Sequence, residues 1–286
     1  MKVKEILQQG EKLLEKQLDG KRKLKMLVCD ALQVDKPMLF LKEEFELTKQ
    51  QQDKIIMGIK KLQQHFPIEY ILGKKEFMKL EFFVNEAVLL PQPDTEILVE
   101  EVLMLLQKHS FSSVLDLCTG SGCIAVCLAK YDKNAKLVGL DISQEALEIA
   151  KQNARKHGVQ NQIQWVWSDL FQNLEKRRFD IIVSNPPYIT SKEMESLPLE
   201  VKKEPYLALE GGKDGLDFYR AIIKQADNYL IEGGYLCFEI GFQQKESVLD
   251  LLEKSQKYEA IKTKKDLAGK NRVIIARRKK CPFQEK

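Results

Sequence analysis

The sequence predicts an α/β protein: a mostly parallel sheet covered by helices on both faces over residues 91–286, preceded by a small helical domain over 1–73 and a β-hairpin linker over 74–90. Three observations predict it. Apolar residues recur at helical spacing through the first third of the chain. A stretch rich in Phe, Val and Leu follows, with Lys79 set between two short apolar runs. From Ser112 onward, short apolar strands alternate with helical segments, the pattern of parallel strands joined by crossover helices. A chain of 286 residues exceeds one typical core and suits two unequal domains.

Taken in order, Val3, Ile6, Leu7, Leu13, Leu14 and Leu18 share one helix face, and Ile55, Ile59, Leu62 and Phe66 share another. Two shorter helices are expected between them, over 21–34 and 38–45, and Pro67 ends the last helix of the region. The hairpin is expected over 76–90. Pro91-Gln92-Pro93 then fixes an extended segment, after which Asp94 or Thr95 caps a helix carrying Leu98, Val102 and Leu105. Strands are expected at 114–117, 136–140, 162–167, 179–184, 234–240, 258–264 and 272–276. Helices fall at 122–129, 217–230 and 243–252, with one more capped by Ser143 and closed by Gly158, whose Leu147, Ala150 and Ala154 share a face.

Composition excludes several classes. The 46 basic and 42 acidic side chains leave a net charge of +4, too mild to predict nucleic-acid binding. The start of the chain alternates charged and apolar residues with no apolar signal region, and no segment reaches the ~20 apolar residues that cross a bilayer. No membrane partner is expected, and the six cysteines read as free thiols in a reducing cytoplasm. Cys118, Cys123 and Cys127 lack the paired spacing of a zinc site, and only three histidines could complete one, so they read as small buried side chains and no metal is expected.

The segment Asp116-Leu-Cys118-Thr119-Gly120-Ser121-Gly122 lies where the first strand of the sheet meets its helix. Ligands of open parallel sheets bind at the carboxyl ends of strands, and glycines there let the backbone approach a ligand closely. Asp141 follows one strand later, placed to accept both hydroxyls of a ribose. Gly120-x-Gly122-x-x-Ala125 also satisfies a loose dinucleotide fingerprint, so the glycines alone do not choose between NAD and S-adenosylmethionine. Asp116 favours the second: a carboxylate repels a pyrophosphate and attracts an ammonium and a sulfonium.

Ser184-Asn185-Pro186-Pro187-Tyr188 follows the fourth strand. Adjacent prolines stiffen the loop and leave carbonyl oxygens as its outward groups. Asn185 adds a side-chain acceptor and Tyr188 an aromatic face, a set that suits a planar NH2 group with two protons to donate. Asn185, Pro186 and Tyr188 are therefore the expected catalytic residues. An amide nitrogen is a poor nucleophile, and acceptors on its two N–H bonds raise its electron density as the methyl arrives.

Together with Pro67-Ile-Glu-Tyr-Ile-Leu-Gly73, Leu90-Pro-Gln-Pro-Asp-Thr-Glu96, Glu204-Pro205, Gly211-Gly-Lys-Asp-Gly-Leu-Asp-Phe-Tyr219, Glu239-Ile-Gly241 and Lys265-Asp-Leu-Ala-Gly269, these motifs give a chain that resembles the release-factor glutamine methyltransferases nearly end to end. The resemblance implies a seven-stranded Rossmann-like class I methyltransferase domain behind a helical domain that docks the release factor. The substrate implied is the glutamine of a Gly-Gly-Gln loop, and S-adenosyl-L-homocysteine the product. Cys118, Thr119, Gly120, Ser121, Gly122, Asp141 and Asn185 would hold the cofactor; Asp116 is expected to bind it too, and Leu170 to pack on the adenine, where the family often has an aromatic. Asn185, Pro186, Pro187 and Tyr188 would hold the glutamine. The chain departs from the family also at Gln92, usually arginine, and at Cys118, usually glycine. Release factors are the expected partners of a monomer, with no direct nucleic-acid contact. The alternatives are adenine-N6 methylation of nucleic acid, an NAD-dependent dehydrogenase, and a cofactor-binding adaptor without activity.

Overall fold

Helices come first, as the apolar spacing dictates: α1 (Val3–Leu13), α2 (Gly20–Leu32), α3 (Lys36–Leu41), α4 (Lys49–Gln63) and α5 (Ile68–Leu72), in a computed structural model that describes residues 1–280. Residues 281–286, with Cys281 and the end of the expected catalytic domain, lie outside the described residues. Val3, Ile6, Leu24, Leu27, Val28, Ile55, Ile59 and Leu62 are among the side chains buried in the core of these helices. Residues Met1–Lys74 with Pro198–Lys203 make one unit, and Lys75–Leu197 with the chain from Glu204 onward makes a second. Within the first unit, Glu200 pairs with the buried ammonium of Lys23, giving the 198–203 segment a charged anchor. Pro67 does not end a helix: α4 stops at Gln63, His65 turns the chain with φ of 63°, and Pro67 caps the start of α5. Its fixed φ and missing N–H suit the front of a helix.

A hairpin follows, β1 (Lys74–Phe77) and β2 (Leu80–Phe83), reversed at Met78 and Lys79, both with positive φ; all of it but Lys74 belongs to the second unit. The hairpin ends well before Leu90. Then come α6 (Pro93–His109), β3 (Ser113–Leu117), α7 (Cys123–Tyr131), β4 (Lys136–Asp141), α8 (Gln144–Lys156), β5 (Ile163–Trp167) and β6 (Phe179–Ser184). They are followed by α9 (Ser191–Ser196), α10 (Asp217–Ala226), β7 (Leu230–Glu239), α11 (Lys245–Ser255), β8 (Tyr258–Lys265) and β9 (Asn271–Arg278). Seven strands form one sheet in the order β5-β4-β3-β6-β7-β9-β8; β5 to β7 pair parallel, and β9 and β8 add antiparallel strands.

Period-two alternation gives each face its own core. Val114, Ile181, Val183, Val273 and Ile275 pack with Leu98, Val102 and Ile124 on one side. Leu115, Leu117, Ile182, Phe238 and Ile274 pack with Tyr219, Ile222, Val248 and Leu252 on the other. Burial of both faces is why the strands read as continuous apolar runs. The chain leaves β3 for β4 on one flank, while β6 lies on the other, so the crevice of the sheet opens above β3 and β6.

Two boundaries differ from expectation. α6 begins behind Gln92, which makes no side-chain cap; Asp94 and Thr95 lie inside its first turn, engaged with Arg272 at 2.9 Å and Glu239 at 2.5 Å. α10 stops at Ala226, because Leu230 pairs with Phe179 and the Phe179 N–H donates to the Tyr229 carbonyl. No helix among the described residues is long and apolar enough to cross a membrane.

Candidate functional site

Asp116, on β3, is fully buried. Strand alternation sends its side chain toward α7, where Oδ2 accepts from the Thr119 hydroxyl (2.6 Å) and the Ala125 N–H (3.3 Å). Burial pushes its carboxyl up to about 7 against these hydrogen bonds. Among the described residues its other oxygen, Oδ1, is buried without a hydrogen-bond partner. Asp116 therefore underlies the loop instead of forming a cavity wall. Cys118 turns the chain with φ of 60°, a left-handed conformation that costs a side-chain-bearing residue about 1–2 kcal/mol. That strain is a physical reason for glycine at this position. Gly120 follows with φ of 55°, and a Cβ there would meet nothing within 4 Å, leaving the backbone open to a ligand.

A cavity of about 740 Å³ opens over this loop, entirely within the second unit. Its wall includes Cys118, Gly120, Asp141, Leu170, Asn185 and Pro187 of the expected residues, a size and setting usual for a small-molecule site. Thr119, Ser121, Gly122 and Pro186 are buried behind the wall, and Tyr188 stands beside it, half-buried. Asp141 accepts the Gly120 N–H at 2.8 Å and the Ser143 N–H at 2.9 Å, one on each oxygen, and burial raises its carboxyl despite them. Each oxygen keeps a further lone pair for a hydroxyl donor. Leu170 reaches the wall, but Phe171 beside it is buried and stacked on Tyr229 with centroids 4.7 Å apart.

The wall carries Glu86, Asp141, Glu145 and Asp169 and no lysine, arginine or histidine among the described residues. Four carboxylates facing one space repel a dinucleotide pyrophosphate and attract a cationic ligand. This set of carboxylates fits the sulfonium and ammonium of S-adenosylmethionine. Cys123 and Cys127 point into the core, and burial raises their thiols.

Asn185 follows β6, whose last residue Ser184 donates to the Leu117 carbonyl at 2.8 Å and ties the two strand ends together. The Asn185 amide donates to Thr95 Oγ1 (3.3 Å), the Thr95 hydroxyl donates to Glu239 Oε2 (2.5 Å), and the Tyr188 hydroxyl donates to Glu239 Oε1 (3.3 Å). Glu239 is buried, and burial pushes its carboxyl up to about 7 against the Thr95 hydrogen bond. Tyr188 is likewise pushed up by burial, so its phenol stays a donor.

Other motifs hold this loop from behind. Gln244 donates to the Tyr188 carbonyl (2.9 Å) and the Gly215 carbonyl (3.1 Å), and its own oxygen accepts the Gly241 N–H. Glu204 accepts the Leu90 N–H at 2.9 Å and so fixes the segment that brings Glu86–Leu89 to the cavity. Sequence reading had given Thr95, Glu239, Gln244 and Glu204 no site role. A Cβ on Gly215, whose φ is 72°, would lie 2.3 Å from the Tyr188 carbonyl oxygen. Gly215→Ala is expected to lower stability by about 1–3 kcal/mol and to displace the Asn185–Tyr188 loop, read as a fall in denaturant midpoint together with a fall in turnover.

Comparisons with known proteins fit this geometry. Residues 93–200 match the methyltransferase small domain, and residues 5–73 match the PrmC N-terminal domain. A release factor glutamine methyltransferase from Clostridium botulinum is 39% identical over 97% of this chain and 100% of its own length. One from Bacillus cereus is 35% identical, covering 96% and 99%. Among solved structures, a methyltransferase from Pyrococcus furiosus aligns with TM-score 0.51 at 16% identity, over 82% of this chain and 100% of its own. The catalytic domain of human Mettl16, solved with an RNA hairpin, aligns with TM-score 0.54 at 16% identity, over 68% and 74%; both likenesses concern the fold. By the extent of its identity to these curated relatives, the chain belongs to the release factor glutamine methyltransferases.

Proposed function

We propose that this enzyme transfers a methyl group from S-adenosylmethionine to the side-chain amide nitrogen of the glutamine in the Gly-Gly-Gln loop of peptide-chain release factors, in the cytoplasm. The helical unit serves to dock the release factor. Asp141, the backbone of Cys118–Gly122, Leu170 and Asn185 hold the cofactor, which supplies an electrophilic methyl on a sulfonium when bound. Asn185 Oδ1 and the Pro186 carbonyl accept the two N–H bonds of the glutamine amide, and Pro187 and Tyr188 bound its plane. Acceptance of both protons raises electron density on nitrogen and aims its lone pair. After transfer the nitrogen sheds one proton to water, which leaves the N-methyl amide.

One observation carries the reading: Asn185 commits its NH2 to Thr95 and makes no hydrogen bond through Oδ1 among the described residues, at the edge of a cavity walled by carboxylates. Such a cavity is hostile to the phosphates of a nucleic acid. Incubation with purified release factors and labelled S-adenosylmethionine is expected to add the mass of one CH2 to the glutamine-bearing peptide. Label entering DNA or RNA, with the release factors unmodified, refutes the proposal.

A further inference from the structure

An asparagine amide is nearly symmetric in shape, so its orientation is set by what each end can bond. A carboxylate accepts only, a threonine hydroxyl has one proton, and an amide has a donor end and an acceptor end. The chain Glu239–Thr95–Asn185 obeys these rules in one direction. Glu239 Oε2 takes the Thr95 proton at 2.5 Å, so Thr95 Oγ1 is left to accept, and the Asn185 end it meets at 3.3 Å is the NH2. We propose that Glu239 is a positioning residue that, through Thr95, holds the Asn185 amide with its carbonyl toward the substrate, while its second oxygen anchors Tyr188.

This inference rests on the reading of Asn185 as the acceptor for the glutamine NH2. If Thr95 loses its acceptor, its hydroxyl proton is free to turn toward Asn185 Oδ1, and the amide then presents NH2 to the substrate's NH2. Two donors face each other and the nucleophile is misdirected. The groups around Glu239 are Thr95 and Asp94 from α6, Cys123 from α7, Tyr188 after β6, Tyr219 from α10 and Arg272 from β9. Arg272 is shared with Asp94 at 2.9 Å and Asp266 at 3.3 Å. The sense of the pH response follows from the raised carboxyl. Below about 7 Glu239 is protonated and no longer an obligate acceptor; above it, the relay is polarised as described.

The decisive variants are Thr95→Val, which keeps shape and removes the hydroxyl, Thr95→Ser, which keeps the hydroxyl, and Glu239→Gln. Thr95→Val is expected to lower kcat by about 10–100-fold, less than the ~10²–10³ lost when a transition-state hydrogen bond is deleted outright. KM for the release factor is expected to change less than about twofold, because ground-state docking is untouched. Thr95→Ser is expected to recover most of the rate. The wild-type rate is expected to rise with pH through about 7, and Glu239→Gln is expected to flatten that rise. In the cofactor-free protein, the Asn185 side-chain NH2 is expected to exchange with solvent faster in Thr95→Val than in the wild type. A folded Thr95→Val enzyme with wild-type kcat, or Thr95→Ser as impaired as Thr95→Val at equal thermal stability, overturns the inference. The two layers separate cleanly: an inactive Asn185→Ala beside a fully active Thr95→Val sinks only the relay, whereas a fully active Asn185→Ala sinks the acceptor reading as well.

Discussion

Replacement of Asn185 by alanine is expected to lower methyl transfer by about 10²–10³-fold while binding of the release factor stays within a few-fold of wild type. The asymmetry follows from when the Asn185 hydrogen bond matters. In the ground state the glutamine NH2 is neutral and well satisfied by water or carbonyls. As its nitrogen gains the methyl it becomes positive, and an N–H bond to a preorganised carbonyl strengthens as the barrier is crossed. The preorganisation is visible: Asn185 follows a buried strand, its successor prolines are buried, and its NH2 is engaged by Thr95. The measurement is single-turnover methylation at saturating cofactor beside an equilibrium Kd for the release factor. Unchanged turnover refutes the role of Asn185. Equal losses in turnover and in release-factor affinity make it a docking residue instead.

Much of this site was legible because local chemistry dictates it. Prolines at 186 and 187, glycines at 120 and 122, and a carboxylate closing β4 each constrain the backbone within a few residues, and turn chemistry of that kind can be read along the chain. The strands were legible because burial on both faces leaves apolar runs in sequence. Asp116 was read as facing the ligand, yet it shares its strand face with Val114 and lies against the start of α7; alternation along β3 carried that signal. The Thr95–Glu239 pair was not legible, since its partners stand 144 residues apart and only the fold joins them. A faint flag existed: Glu239 ends the run Leu236-Cys237-Phe238, and a carboxylate closing a buried apolar strand is costly unless it has work and partners. The missed ends of the hairpin and of α10 have the same origin. Apolar residues after Phe83 line a cavity, and Leu230 belongs to a strand ladder, neither of which leaves a distinct period in the sequence.

The largest effect on the cofactor is expected at Asp141. Asp141→Asn is predicted to weaken binding of S-adenosyl-L-homocysteine by a hundredfold to a thousandfold, about 3–4 kcal/mol, from charge-assisted hydrogen bonds worth about 1.5–3 kcal/mol each. That loss has two possible sources. The Asp141 oxygens also accept the Gly120 and Ser143 N–H groups, so the substitution disturbs the loop as well as the hydroxyl acceptors. A cycle in which the ligand supplies the second mutation separates them. The 2′,3′-dideoxy analogue of S-adenosyl-L-homocysteine lacks the hydroxyls that Asp141 is expected to hold. If those hydroxyls are its partners, wild-type affinity falls steeply with the analogue, and Asp141→Asn distinguishes the two ligands far less. If Asp141 acts only through the loop, the two losses add, since each change then removes a separate interaction. Additive losses, measured by calorimetry on a variant whose thermal stability matches the wild type, leave Asp141 a support for Gly120 and remove it from the ribose.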